Sequence, residues 1–275
     1  MKRNGIEQRR LSDYIGTLNA VMFAPEDLAI VKGRPEKRRR FLDMGISQVT
    51  PAYVYHLSRY YKVLAQRNNL LKNIRYMKDA DSLLDVLNEQ LVTAGVAVLL
   101  KRCQFIRKIE SWAQQVQAEM TNHQERLQLT YRTFIDGIEE KDATMLQEEY
   151  FAQLRNRAEK ERERGTTLIG PHRDDIVFTV NGIDVQTFGS QGQQRTTALS
   201  LKLAEIELVF EEIGEYPILL LDDVLSELDV SRQTHLISSI QDKVQTFVTT
   251  THTDGIDERT LRQADVFNVE HGKVR

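Results

Sequence analysis

The sequence predicts an α/β fold in which a large α-helical lobe is inserted between two halves of one sheet-containing lobe. Three observations carry this. Beyond Gly165, strands and helices alternate around one continuous apolar run, Ile218-Leu219-Leu220-Leu221, the pattern of a central strand in a largely parallel sheet. Residues 34–165 read instead as helix almost throughout. Residues 1–33 read as short elements, so the α/β lobe is under way before the helical zone and resumes over 166–275.

In order along the chain, Asn4-Gly5 marks a turn, and the apolar stretch 18–23 runs into Ala24-Pro25-Glu26-Asp27. Pro35 suits a first helical position. Thr50 is the expected N-cap of the next helix, with Pro51 in its first turn and Val54, Leu57, Tyr61, Leu64 and Leu71 at helical spacing. From Ser82 one long helix runs through Leu83, Leu87, Leu91, Val98 and Ile106. A breaker region over 131–141 precedes a charged helix over 142–164. Residues 175–180 and 183–188 flank Asn181-Gly182, the strongest short hairpin signal in the chain. A helix opens at Ser190, followed by the strand 218–221, a helix over 230–240, a strand over 244–250 and a last strand at 266–269. Cys103, Trp112 and Met120 read as packing residues.

Composition narrows the class. A chain of 275 residues with a single cysteine forms no internal disulfide, which suits a reducing cytosol. No apolar stretch is expected to approach the ~18–20 residues of a membrane span. The basic start has no apolar segment behind it, so a signal peptide is not expected. The expectation is a cytoplasmic protein with no membrane partner. Net charge is -3, but basic residues outnumber acidic ones by more than two to one over the first 80 residues, and the balance reverses over 200–250. Such asymmetry suggests that one end faces a polyanion and the other has a different task.

The apolar run ends in Asp222-Asp223. A buried strand with that ending sets two carboxylates at the carboxyl edge of a parallel sheet, where α/β ligands bind. Asp222 would hold Mg²⁺, directly or through water, and Asp223 would orient or deprotonate an attacking water. Phosphoryl transfer needs little beyond such positioning and charge stabilisation. Taken alone, the pair suits equally a strand that meets a polar turn. Upstream, Ser190 and Gln193 have the spacing of a capping box, and Gly192 leaves the backbone bare. Free N–H groups and the helix dipole then make an anion site, although the cap by itself fits any ordinary helix. His252 ends the strand over 244–250, either as a γ-phosphate ligand or as a polar loop residue.

The order of these motifs resembles that of the ABC ATPases. Ser190-Gln191-Gly192-Gln193 is similar to their signature motif, residues 218–223 to Walker B, Ser226-Glu227-Leu228-Asp229 to the D-loop and His252 to the switch histidine. Asp223 departs from the Glu that most of these ATPases carry there, which implies a slower or differently shaped site. Phe23-Ala24-Pro25-Glu26-Asp27-Leu28, Val31-Lys32-Gly33, Arg38-Arg39-Arg40-Phe41-Leu42-Asp43 and Gly170-Pro171-His172-Arg173-Asp174-Asp175 narrow the match, because they resemble stretches particular to the RecF family. The resemblance runs from one end of the chain to the other.

It implies a bacterial DNA replication, recombination and repair ATPase of the SOS response, binding DNA at gaps and at single-strand/double-strand junctions. RecO and RecR are the implied partners in loading RecA. ATP closes an implied homodimer in which each signature motif caps the nucleotide held by the other subunit. ATP and Mg²⁺ are thus the implied cofactors. Asp223 and His252 would be catalytic, Asp222 the metal ligand, and Ser190, Gly192, Gln193, Ser226 and Asp229 would lie at the nucleotide.

The family's Walker A loop, Gly-x-x-x-x-Gly-Lys-Ser/Thr, has no match: the one Gly-Lys pair, Gly272-Lys273, is followed by Val274. The family carries that loop in an N-terminal segment. These residues are therefore expected to form an incomplete ABC lobe, its strand at 218–221 left with an unpaired neighbour and exposed apolar surface. Such a chain alone would bind ATP poorly and not hydrolyse it.

The basic cluster Lys32, Arg34, Lys37, Arg38, Arg39 and Arg40, with Arg59, Lys62, Arg67 and Lys72 beyond it, is the candidate contact to DNA phosphates. The other reading is a solvated helix face. Two alternatives stand beside the leading function: a nucleotide-independent DNA-binding or interaction module, and another SMC-like ABC ATPase of repair. The latter needs a long coiled coil, for which the insertion is too short. A transporter subunit is disfavoured by the size and basic face of that insertion.

Overall fold

The computed structural model describes residues 2–3, 6–7, 16–74, 79–225, 228, 230–241, 243–251, 261–262 and 264–274. The short strands β1 (Lys2–Arg3) and β2 (Ile6–Glu7) precede β3 (Ala20–Phe23). Helices α1 (Leu28–Lys32), α2 (Pro35–Val49), α3 (Ala52–Asn73) and α4 (Ala80–Met120) follow. Next come β4 (Leu127–Arg132), α5 (Ala143–Arg164), β5 (Asp175–Val180), β6 (Ile183–Asp184) and the single turn α6 (Val185–Phe188). The described elements end with α7 (Gln191–Ile213), β7 (Ile218–Asp222), α8 (Val230–Ile240), β8 (Thr246–Thr249) and a hairpin of β9 (Val269–Glu270) with β10 (Lys273–Val274).

Local rules account for most boundaries. Pro35 opens α2 behind an extended Arg34, as the ring of proline requires of its predecessor. Asp142 caps α5 by accepting from the Met145 amide, and Gly165 ends that helix at φ +61°. Asn181 and Gly182, at φ +51° and +80°, make the tight turn between β5 and β6. Thr50 does not cap α3 as expected: the N-cap is Pro51, and no side chain bonds the first turn. The second hairpin strand is shorter than expected, because α6 begins at Val185 with Asp184 capping it. The Asn4-Gly5 turn lies outside the described residues.

Two sheets organise the chain. In the first, β7 lies between β3 and β8, parallel to both. It therefore has a strand on each side, and among the described residues neither β3 nor β8 pairs with a further strand. Val21, Leu219 and Leu221 are buried against Leu199, Leu203 and Ile206 of α7, while Met22 and Phe247 stand exposed. The expected exposed apolar surface is thus found at Met22 and Phe247. The second sheet, β4-β5-β6, is antiparallel. It corrects the reading of 34–165 as almost wholly helical, since β4 alternates buried and exposed residues and pairs with β5 from Leu127↔Val180 to Arg132↔Asp175.

The 41-residue α4 spans about 60 Å. It packs on α3 and on α7. Gly45 lets α2 approach it closely: a Cβ there would lie 2.5 Å from the Phe105 ring. By length and composition α4 is apolar enough to cross a membrane, which corrects the expectation that no stretch would be. Half of that apolar window is buried inside the molecule, as in a core helix. α7 is shared between two cores: Ala198, Leu201, Ala204 and Leu208 belong to the large core that includes α4, whereas Leu199, Leu203 and Ile206 belong to the core under the parallel sheet. Whatever displaces α7 is felt by both.

Candidate functional site

At the start of α7 the capping box forms as its spacing predicts. The Gln193 amide donates to Ser190 Oγ (3.2 Å), and the Ser190 amide donates to Gln193 Oε1 (3.0 Å). Ser190 is exposed, so the first turn of α7 opens to solvent with its remaining N–H groups undirected by side chains of its own box. A Cβ at Gly192 would meet Arg232 Nη2 and Ser190 Oγ only at 3.6 and 3.8 Å. The backbone there is open to approach, not crowded.

The expected chemistry also finds Asp222 and Asp223 at the carboxyl end of β7, both exposed. β8 buttresses the pair through one residue that sequence reasoning missed. Thr249 Oγ1 donates to Asp222 Oδ1 (2.5 Å), and the Asp223 amide donates to the Thr249 carbonyl (3.1 Å). Asp223 takes φ +52°, the left-handed region that Asp tolerates better than most residues. The chain thereby turns sharply at the second acid while Val224 and Leu225 go into the core. Gln233 of α8 donates to the carbonyls of Leu225 (2.5 Å) and Leu228 (3.0 Å). The signal for Thr249 was its position at the end of the strand beside the acid-tipped one. Ser226, Asp229 and His252 lie outside the described residues.

Residues 170–175 gather a dense polar junction. The Pro171 carbonyl accepts from Arg102 Nη1 (2.6 Å), and Arg102 also forks onto Asp43 (2.9 and 3.1 Å). His172 Nδ1 meets the Tyr60 hydroxyl at 2.7 Å. Tyr131 donates to Asp174 Oδ2 (2.6 Å), Arg39 to the Asp174 carbonyl (2.7 Å), and Arg38 to both carboxylate oxygens of Asp175. Gly170, at φ +125°, leaves no room for a side chain: a Cβ would lie 2.2 Å from Tyr150 Oη and 2.4 Å from Tyr60 Oη. Burial lowers the His172 pKa to about 4 and, against the Tyr131 hydrogen bond, raises that of Asp174 to about 6. The segment thus ties α2, α3, α4 and β4 to β5. The Cys103 thiol, pushed up to about 12 by burial, is inert packing.

This junction divides the basic cluster. Lys32, Arg34, Lys37 and Arg40 are exposed, and Arg39 is half-buried. Arg38 is buried in its ion pair with Asp175, so it is withdrawn from the candidate DNA contacts. Arg67 is withdrawn likewise: it is buried against Glu161 (2.7 Å) and Thr167 (2.7 Å). Arg59, Lys62 and Lys72 remain exposed. The basic loop also touches the lead-in to the signature turn, because Gln186 Nε2 donates to the carbonyls of Lys32 (3.3 Å) and Gly33 (3.0 Å). Among the described residues, no group of three or more His, Cys, Asp or Glu could hold a metal ion by itself.

No family model matches the chain. It is 54% identical over 275 residues to the DNA replication and repair protein RecF of Halalkalibacterium halodurans, which covers 100% of this chain and 74% of that relative. To the DNA replication and repair protein RecF of Bacillus subtilis it is 58% identical over 274 residues, 99% of this chain and 74% of that one. Among solved structures, the recombination mediator protein RecF-ATP in the RecFOR pathway superposes with a TM-score of 0.88 at 31% identity, covering 99% of this chain and 71% of that one. The RecF-ATPrS structure gives the same TM-score and identity over 98% and 71%.

Proposed function

Because this chain belongs to the RecF family of DNA replication and repair proteins, we propose that it supplies the signature and Walker B residues of an ATP-gated, DNA-binding recombination mediator. Its ATPase lobe is built from 1–33 and 166–275 and its helical lobe from 34–165, with β4 pairing across that boundary. ATP is the nucleotide, and when bound it supplies the triphosphate charge across which two copies join. Ser190, Gly192 and Gln193 of one copy face the nucleotide of the other.

The acid pair fits a magnesium nucleotide. Thr249 engages one oxygen of Asp222 and leaves the other for Mg²⁺. One carboxylate suffices, because Mg²⁺ keeps most of its ligands as water and phosphate oxygens. Asp223 orients the attacking water, and Ser226, Asp229 and His252 complete the site by the family's pattern. Lys32, Arg34, Lys37, Arg39 and Arg40 meet the phosphates of DNA at gaps and single-strand/double-strand junctions. RecO and RecR are the partners in loading RecA, in the cytoplasm.

One observation supports the reading above the others: the helix that presents Ser190 at its open end packs Leu199, Leu203 and Ile206 on the sheet that presents Asp222 and Asp223. Equilibrium dialysis against Mg-ATP tests it. The chain alone is expected to retain almost none. A chimera bearing the Walker A segment of the Bacillus subtilis relative is expected to bind one ATP per chain and to lose its Mg²⁺ dependence on Asp222→Ala. Stoichiometric binding by the chain alone would overturn the assignment.

A further inference from the structure

The signature turn is wired to the long helix α4 through a side chain outside every motif named above. Gln193 spends its Oε1 on the capping box, and its Nε2 donates to Glu125 Oε1 (3.0 Å). The other Glu125 oxygen accepts from Gln117 Nε2 (2.6 Å). Gln117 is wholly buried on α4, and its Oε1 accepts from Ser200 Oγ (2.9 Å), back on α7. Ten residues, about 15 Å of helix, separate Ser190 from Ser200. α4 is therefore stitched to α7 at two points, and the outer stitch is Glu125.

Glu125 is itself held on both sides. Its amide donates to Thr121 Oγ1 (3.3 Å), in the turn that ends α4. Beside it, Asn181 of the β5–β6 turn accepts from the Arg126 amide (2.9 Å) and donates to the Gln124 carbonyl (3.1 Å). A carboxylate anchored this way cannot follow the Ser190 turn without pulling on Gln117. α4 then carries any displacement along its length to α3, whose exposed Arg59 and Lys62 belong to the basic face. Apolar contacts elsewhere between α4 and α7 fix the two helices together. A half-buried chain of hydrogen bonds can instead exchange partners, as a two-state element must.

We propose that Glu125 is a positioning residue through which the Ser190–Gln193 turn and α4 sense one another, so that nucleotide held against that turn alters the DNA affinity of the helical lobe. The inference rests on the ABC reading of the preceding subsection. Its test uses the Walker A-bearing chimera, a gapped DNA duplex and fluorescence anisotropy with and without Mg-ATP. The unsubstituted chimera is expected to change its DNA affinity with Mg-ATP by a factor in the range of about 5–150. Glu125→Ala should reduce that factor below about 2, with ATP affinity unchanged.

Glu125→Gln should retain it. Its Oε1 still accepts from Gln193, and a flipped Gln117 amide takes its N–H while Ser200 serves as acceptor. A purely structural role would lower the melting temperature of Glu125→Ala and leave the nucleotide effect intact. Should Glu125→Ala fail to fold, Glu125→Asp, too short to reach both partners, carries the same expectation. A large nucleotide effect that survives both Glu125→Ala and Glu125→Asp overturns the coupling alone. No nucleotide effect in the unsubstituted chimera overturns the ABC reading and the coupling with it.

Discussion

Arg38 forks onto Asp175 across 137 residues of chain, with Nε 2.5 Å from Oδ1 and Nη2 2.9 Å from Oδ2, while its Nη1 donates to the Gly33 carbonyl at 2.8 Å. The pair fastens the start of α2 to the start of β5. It also separates, within Arg38-Arg39-Arg40, an arginine that holds the fold from Arg40, which is exposed, with the half-buried Arg39 intermediate between them.

Arg38→Ala should therefore cost about 3–5 kcal/mol, because it strands a carboxylate in a poorly hydrated site. Arg38→Lys should restore little, since an ammonium cannot reproduce the fork. Urea denaturation measures both. A loss below about 1 kcal/mol for Arg38→Ala would place the pair among weak surface bridges.

Arg40→Ala and Lys37→Ala should leave the urea midpoint unchanged and weaken DNA binding at every sequence tested. Each lost phosphate contact should flatten the plot of log affinity against log salt by about 0.9 for duplex DNA. Unchanged slopes would remove these two residues from the interface.

Gly170→Ala should be among the most destabilising small substitutions in the chain. It combines a positive φ with a Cβ 2.2 Å from the Tyr150 hydroxyl. Backbone strain of about 1–3 kcal/mol and overpacking of similar size add here, since neither Tyr60 nor Tyr150, both buried, has room to retreat. A melting temperature within a degree or two of the parent would contradict this.

His172 and Asp174 should give opposite pH dependences. With its pKa lowered from 6.5 to about 4, His172 stays neutral in the fold while the unfolded chain takes up a proton, so its contribution falls as pH drops from about 6.5 towards 4. With its pKa raised from 3.8 to about 6, Asp174 holds a proton in the fold that the unfolded chain has released, so its contribution falls as pH rises from about 4 to 6. The two slopes, each up to about 1.4 kcal/mol per pH unit, largely cancel in the parent. Asp174→Asn should leave stability rising with pH between 4 and 6, and His172→Gln should leave it falling. Equal slopes in the two variants would show that neither residue governs this window.

Much of this was legible in the sequence because it is local. The S-x-x-Q spacing at Ser190 and Gln193, the Asn181-Gly182 turn, Pro35 at a helix start and the acid-tipped run at Asp222 each express a rule that acts within a few residues. What was hidden is long-range. Nothing near Arg38 says that it, and not Arg40, turns inward, because its partner lies at Asp175. Arg67 is decided in the same way by Glu161. β4 carried a local signal, Leu127, Leu129 and Tyr131 alternating with polar residues, but six residues beside two long helices gave it little weight. Glu125 and Thr249 belong to no motif, and only the packing of neighbouring elements gives them a role.

The most direct test of the central claim is sedimentation of the chain, with and without Mg-ATP, repeated on the chimera that carries a Walker A segment. The account predicts that only the chimera dimerises, only with nucleotide, and that Ser190→Arg abolishes it by filling the open turn of α7. Dimerisation of the chain without nucleotide would contradict it and leave a DNA-binding module that works without ATP, and dimerisation of the chimera despite Ser190→Arg would contradict it by taking the signature turn out of the seam.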